Sequence, residues 1–348
     1  MNDQNQQFET GNPPEAPAEW DAFQPPPPPG AIPPPVAAPR ATKLRPFAIA
    51  AAIFGLLCLG LGIAKVLPGG IGTGLAFICW GIILFAFSFI RLPQVNSDEA
   101  PMSGAQKLIG IFFEPTRVFR NLRAHPYWLA AFLVVGVLNA AYATAFVQRL
   151  TPERIVDYTF DKLVDSPFKP PPEAMEAAKD EALKQAKQPI QKVETVAKSF
   201  VGLFVLAALS AAFCFLGVLA FGGRMNYWQA FAAVLYSWVP YTVISKLLSL
   251  VLLYVKNPDD IHPLMGQETL VQDNLGYFIV PVDHPALYAL GTAIGFVSLY
   301  HLWLKAKGLA NAGTKVSSGV AWGVSITLWI LFLIMGMILA TLFSSFLS

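Results

Sequence analysis

Seven apolar stretches, residues 47–64, 71–90, 127–147, 200–221, 227–255, 285–304 and 317–346, contain no aspartate or glutamate. A helix rises about 1.5 Å per residue, so eighteen to twenty residues cover roughly 30 Å of hydrocarbon. Lipid offers the backbone no hydrogen-bond partner, which restricts spanning segments of this kind to helices. The expected fold class is therefore all-α: a polytopic membrane protein with seven transmembrane helices. A mean hydropathy of +0.51 and 13% charged residues agree. An interior without carboxylates has nothing with which to relay protons or hold sodium, which argues against carboxylate-coupled pumping.

The net charge of +2 is too small, and its carriers too dispersed among apolar spans, to imply a nucleic-acid partner. Cys58, Cys79 and Cys214 all fall inside expected spans, where an odd trio serves as small apolar side chains and offers no disulfide framework. The first apolar run starts only at Phe47, behind a polar segment with no cleavage pattern, so it is expected to stay in the mature protein.

Four regions follow from the order of the chain. Residues 1–45, with unbroken proline runs at 25–29 and 33–35, are too poor in aliphatic side chains to offset their ordering entropy. They form a disordered, proline-rich cytoplasmic tail. Residues 46–92 make a transmembrane hairpin turned at Leu67-Pro68-Gly69-Gly70, and residues 93–104 a polar linker. Residues 105–348 make the main domain. It opens on a short helix in which Val118, Phe119 and Leu122 recur at helical spacing while Arg117, Arg120 and Arg123 gather on another arc. That pattern, with Pro115 near the first turn and Lys107 upstream, predicts a helix lying in the headgroup plane. Lys107, Arg117, Arg120 and Arg123 are the candidate membrane-surface residues, each basic group worth about 1 kcal/mol against an anionic leaflet.

Lysine and arginine resist translocation and so set orientation. With the tail inside, the inner face carries Arg40, Lys43, Arg45, Arg91, Lys107, Arg117, Arg120, Arg123, Arg224, Lys305, Lys307 and Lys315. The outer face carries Lys65, Lys256 and the scattered positive residues of the 148–199 excursion, and its 256–284 loop is acidic. Small residues four apart, Gly70 with Gly74, Gly291 with Gly295 and Gly319 with Gly323, are expected to bring helices close. Pro240 is expected to kink the fifth span.

Asn139 and Lys246 are the polar residues at depth. Lys246 either snorkels to lipid phosphate or lines a polar cleft with Asn139 for an anionic headgroup or solute. Catalytic patterns are missing from the sequence. His125, His262, His284 and His301 are scattered, without the four-residue spacing that puts two ligands on one helix face, and no motif calls for a metal or other cofactor.

From Lys107 onward the chain resembles the Yip family, the membrane domain of Ypt/Rab-interacting proteins. The residues that carry this are Pro115, Arg117 and Phe119, then residues 121–126, then Phe221-Gly222-Gly223, Gln229-Ala230 and Tyr236-Ser237-Trp238-Val239-Pro240. The resemblance implies a five-span domain with a cytoplasmic amino-terminal side. Eukaryotic members act in vesicle traffic, binding small GTPases and each other, and carry an Asp-Leu-Tyr-Gly-Pro type signature. This chain lacks that signature and looks closer to prokaryotic members, which implies a prokaryotic cytoplasmic membrane.

The reading that results is a non-enzymatic membrane organiser or adaptor, with membrane lipids and other membrane proteins as partners and homo-oligomerisation as a further expectation. Its alternative is a facilitator for a small solute or lipid through a cleft at Pro240, Asn139 and Lys246.

Overall fold

The computed structural model describes residues 45–67, 70–89, 100–164, 171–186 and 188–347. The expected proline-rich tail as far as residue 44, the hairpin's Pro68-Gly69 and the linker as far as residue 99 lie outside these. All regular secondary structure among the described residues is helical.

The chain runs through α1 (Arg45–Ile63), α2 (Gly70–Ser88), α3 (Gly104–Phe113), α4 (Pro115–Ala124), α5 (Leu129–Leu150), α6 (Pro152–Val164) and α7 (Pro172–Ala186). It continues through α8 (Pro189–Ala220), α9 (Tyr227–Val255), α10 (Met265–Glu268), α11 (Pro285–Ala293), α12 (Phe296–Ala312) and α13 (Ser318–Leu342). Eight of these start on residues suited to a first turn: α4, α6, α7, α8 and α11, α3 and α9 by capping boxes, and α13 by its Ser317 cap. Proline opens five of them because its missing N–H is not needed there. At α9 the Asn226 side chain accepts from the Trp228 and Gln229 amides, and the Gln229 side chain accepts from the Asn226 amide.

Among the described residues, five helices are long and apolar enough to cross a membrane: α1, α5, α8 from Thr195, α9 and α13. The apolar run of α2, Gly70–Ala86, is shorter. The sixth expected stretch is not one helix. It breaks at Ile294-Gly295, where the backbone turns extended between α11 and α12. The cause is a contact from the preceding loop: Leu275 N donates to the Ile294 carbonyl at 3.1 Å, and Asp273 Oδ2 accepts from Val297 N at 2.7 Å. A Cβ on Gly295 would lie 3.0 Å from Asn274 Cβ and 3.1 Å from that carboxylate, so glycine is what lets the loop in.

α9 is the axis of the bundle, packed by α5, α8 and α12 and buried almost continuously from Trp228 to Pro240. A helix apolar all round belongs at such a centre. An aromatic knot of Trp128, Phe132, Phe204 and Phe231 holds α5, α8 and α9 together, with Trp128 and Phe231 rings 5.1 Å apart edge to face. The front hairpin joins the same core through Trp80, whose ring lies 5.1 Å from Phe204. Within the hairpin, Gly70 and Gly74 abut α1 closely enough to exclude a Cβ. Gly319 and Gly323, expected to do the same, face open space on α13.

The bundle has two distinct ends. At one, α8 closes on a Schellman turn: Gly222, with φ +78°, lets Gly223 N reach the Val218 carbonyl at 2.8 Å. The residue that follows, Arg224, pairs its backbone with Lys315 of the α12–α13 loop. At the other end a second cluster, Tyr142, Phe146, Leu150, Leu253, Ile261 and Leu270, folds the 256–284 loop down onto α5 and α9.

Candidate functional site

The basic helix expected in the headgroup plane divides into α3 and α4 at Glu114-Pro115, and its apolar arc is used differently. Val118, Phe119 and Leu122 are fully buried against protein, not turned to lipid, with Phe119 packed on α12 at Gly308. The periodicity was that of a helix with one buried face, and the burying partner is the bundle. Asn121, also buried, accepts from Met102 N and donates to the Ala100 carbonyl, fixing the approach to α3. Gln229 donates to the Arg123 carbonyl at 2.8 Å, so the capping box of α9 also holds the end of α4. α4 is thus a rigid shelf on the bundle.

The four basic candidates separate accordingly. Lys107 does not belong to the surface: it is buried on α3, its Nζ donating to the His125 carbonyl at 2.9 Å beneath the Tyr127 ring. Burial pulls its ammonium down to about 8. Arg123 is half-buried and donates to the Asn311 carbonyl at 3.1 Å. Arg117 and Arg120 remain exposed, Arg117 in a surface pair with Glu114 at 2.9 Å. Beside them α3 exposes Ile109 and, most fully, Phe113. Two cations and two large apolar side chains therefore project from one end of the molecule.

Deeper in, Asn139 and Lys246 do not share a cleft. Asn139 donates to the Val135 carbonyl of its own helix at 2.8 Å. Lys246 neither snorkels nor faces a cavity: its Nζ donates to the Glu268 carbonyl and sits 4.7 Å from the centre of the Tyr142 ring. The loop completes this plug, with Tyr142 Oη donating to the Gly266 carbonyl and Ser249 Oγ accepting from Leu270 N at 3.0 Å. Tyr142, Gly266 and Glu268 were invisible as partners because they are distant in sequence. α9 runs unbroken through Pro240, which has no N–H to give to the Tyr236 carbonyl one turn back. The Tyr236 hydroxyl is fully buried with no hydrogen-bond partner among the described residues.

The fold also forms two further polar groupings. Lys305, counted as a loop residue, lies inside α12, one turn from His301. The His301 ring is 5.6 Å from Tyr241, and its Nε2 is buried without a partner among the described residues. On the opposite end, Tyr158 and His262 Nε2 are 2.9 Å apart beside a cavity of about 380 Å³ that Arg154, Asp259 and Asp260 also line. His262 Nδ1 accepts from the Leu264 and Met265 amides, so it turns the loop. No three histidine, cysteine or acidic side chains among the described residues are grouped to hold a metal ion.

The family model of the Yip1 domain matches residues 109–340, about two thirds of the chain. The chain belongs to the Yip1 domain family. The Yip1 domain thus begins within α3 and ends near the close of α13, leaving the α1–α2 hairpin ahead of it. Comparison with curated proteins and with solved structures returned no match. Several residues that carried the resemblance are structural within the Yip1 domain: Pro115 starts α4, Phe119 is its buried anchor, Gly222 and Gly223 stop α8, and Tyr236 to Pro240 lie at the buried axis. With its apolar helices, the Yip1 domain makes this an integral, multi-pass membrane protein.

Proposed function

We propose that the protein is a non-enzymatic membrane organiser or adaptor, which binds lipids and other membrane proteins through a shelf fixed to its helical bundle. The observation that carries this is the α3–α4 surface: exposed Arg117 and Arg120 next to exposed Phe113, on a helix whose other face is locked into protein. Rigid mounting favours recognition, because little side-chain and backbone freedom is lost on binding. In this reading seven crossings are completed by α2 and by the α11–α12 pair, and the tail and shelf face the cytoplasm of a prokaryotic cell. Arg224 and Lys315, with Arg117 and Arg120 on the helix that meets Asn311 and Gln229, support that orientation. The loop plug over Lys246 supports an organiser over a facilitator, since it fills the place where a cleft was expected.

The test is recovery of partners from gently solubilised membranes, comparing the native chain with Arg117→Glu/Arg120→Glu. The expectation is a specific membrane-protein partner, or retained anionic lipid, that the double variant loses. At about 1 kcal/mol per arginine, lipid retention should fall by an order of magnitude or more. Solute flux through the protein in liposomes, with no partner recovered, would reverse the reading in favour of a facilitator.

A further inference from the structure

The 256–284 loop is acidic as a whole, yet residues 275–282, Leu-Gly-Tyr-Phe-Ile-Val-Pro-Val, carry no charge. Their side chains are not folded inward. Tyr277 is 66% exposed, Phe278 79% and Val280 57%, and Phe296 at the start of α12 is 83% exposed. The Asn274–Gly295 bridge sets Phe296 beside this segment, making one surface of them. Scattered exposed apolar residues need no explanation, but a contiguous group of this size does.

Much of the segment's backbone is closed within the fold. Leu275 N donates to the Ile294 carbonyl, Gly276 N to Asn274 Oδ1, Tyr277 N to the Asn274 carbonyl and Ile279 N to the Gly276 carbonyl. Pro281 has no amide to satisfy. Amides closed in this way lower the cost of placing the segment in lipid, where no water can satisfy them. On the amino-terminal side the preceding carboxylate, Asp273, is turned inward as the cap of α12. The segment packs on α11, where a Cβ on Gly291 would come within 2.7 Å of Gly276 N. α11 in turn packs on α13, a spanning helix whose Ile334 and Ile338 are exposed. α11 therefore links the exposed apolar loop to a helix long enough to cross, and Tyr277 and Phe278 are side chains of the kind that anchor at an interface.

We propose that residues 275–282, with Phe296, form a re-entrant anchor that dips into the lipid of the leaflet opposite the α4 shelf. The occupant of this surface is the headgroup–acyl boundary of the bilayer. Asp283 and His284, both exposed, mark the return to water.

The experiment places a nitroxide at Phe278→Cys or Val280→Cys in the full chain with Cys58, Cys79 and Cys214 changed to alanine. The protein is reconstituted in phosphatidylcholine–phosphatidylglycerol vesicles. Collision with oxygen should exceed collision with a water-soluble nickel chelate several-fold at both sites, and the order should reverse at Asp259→Cys in the same loop. Nickel dominance at 278 and 280 would overturn the proposal. So would low access to both reagents, the mark of a covering second copy. Should the cysteine-free chain not fold, Phe278→Trp in the native background replaces it. Its added emission should be quenched by brominated acyl chains and not by acrylamide; the opposite result overturns the anchor.

Discussion

Asp273 caps a helix to which it does not belong: its carboxylate accepts from Val297 N at 2.7 Å, supplying at α12 what Gly295 lacks a side chain to give. The charge also favours the positive end of a seventeen-residue helix. Asp273→Ala should cost about 1–2 kcal/mol and Asp273→Asn less, as an amide oxygen keeps the bond. Thermal unfolding in detergent gives the loss. Faster amide exchange at Val297, without change in α4, locates it.

Lys107 provides a pH dependence with a definite sign. Its ammonium is depressed from an ordinary 10.5 to about 8, so between these values the unfolded chain binds more protons than the folded one. Stability from this site therefore rises with pH across that window, recovering up to about 3 kcal/mol of burial penalty. Below pH 8 the penalty is constant. Against Lys107→Met, which has no such titration, the native chain should gain relative stability from about pH 7.5 to about pH 9.5. A difference that stays flat would mean the ammonium is not buried in solution.

Three glycines should respond differently to alanine. Gly222 sits at φ +78°, so Gly222→Ala should lose about 1 kcal/mol. Gly223→Ala should lose more, because its Cβ would lie 2.7 Å from Val218 Cγ1 and 3.0 Å from the Val218 carbonyl. Gly323→Ala, with nothing within 4 Å, should be neutral or gain about 1 kcal/mol from helix propensity. Melting temperatures of the three variants rank them.

Lys246→Leu tests the loop plug. It removes the donor to the Glu268 carbonyl and the cation under Tyr142, leaving a buried acceptor unpaired at about 1–3 kcal/mol. Hydrogen exchange should accelerate across residues 264–271 while the shelf stays protected. Equal protection in both proteins would show that the loop is held by its apolar contacts alone.

The long apolar runs and the caps of this fold were legible in the sequence, because each depends on neighbours a few residues apart. The break at Gly295 was not, since the residues that cause it, Asp273 and Leu275, come from another segment and Gly291 with Gly295 looked like a packing pair. For α4 the spacing of Val118, Phe119 and Leu122 gave the face but not its partner, and protein took the place assigned to lipid. Lys107 misled in the same way: its charge was visible, its acceptor at His125 was not. Lys246 stood out as costly, but its relief came from Tyr142 and Glu268, each remote in the chain.

The junction of Arg224 with Lys315 is made entirely by main-chain atoms, Arg224 N to the Lys315 carbonyl and Lys315 N to the Arg224 carbonyl. Evolution is consequently free to rewrite both side chains, and with them whatever meets the molecule at this end, while loop length is held fixed. Insertion of one residue in either connection would misalign the α8–α9 and α12–α13 pairs together.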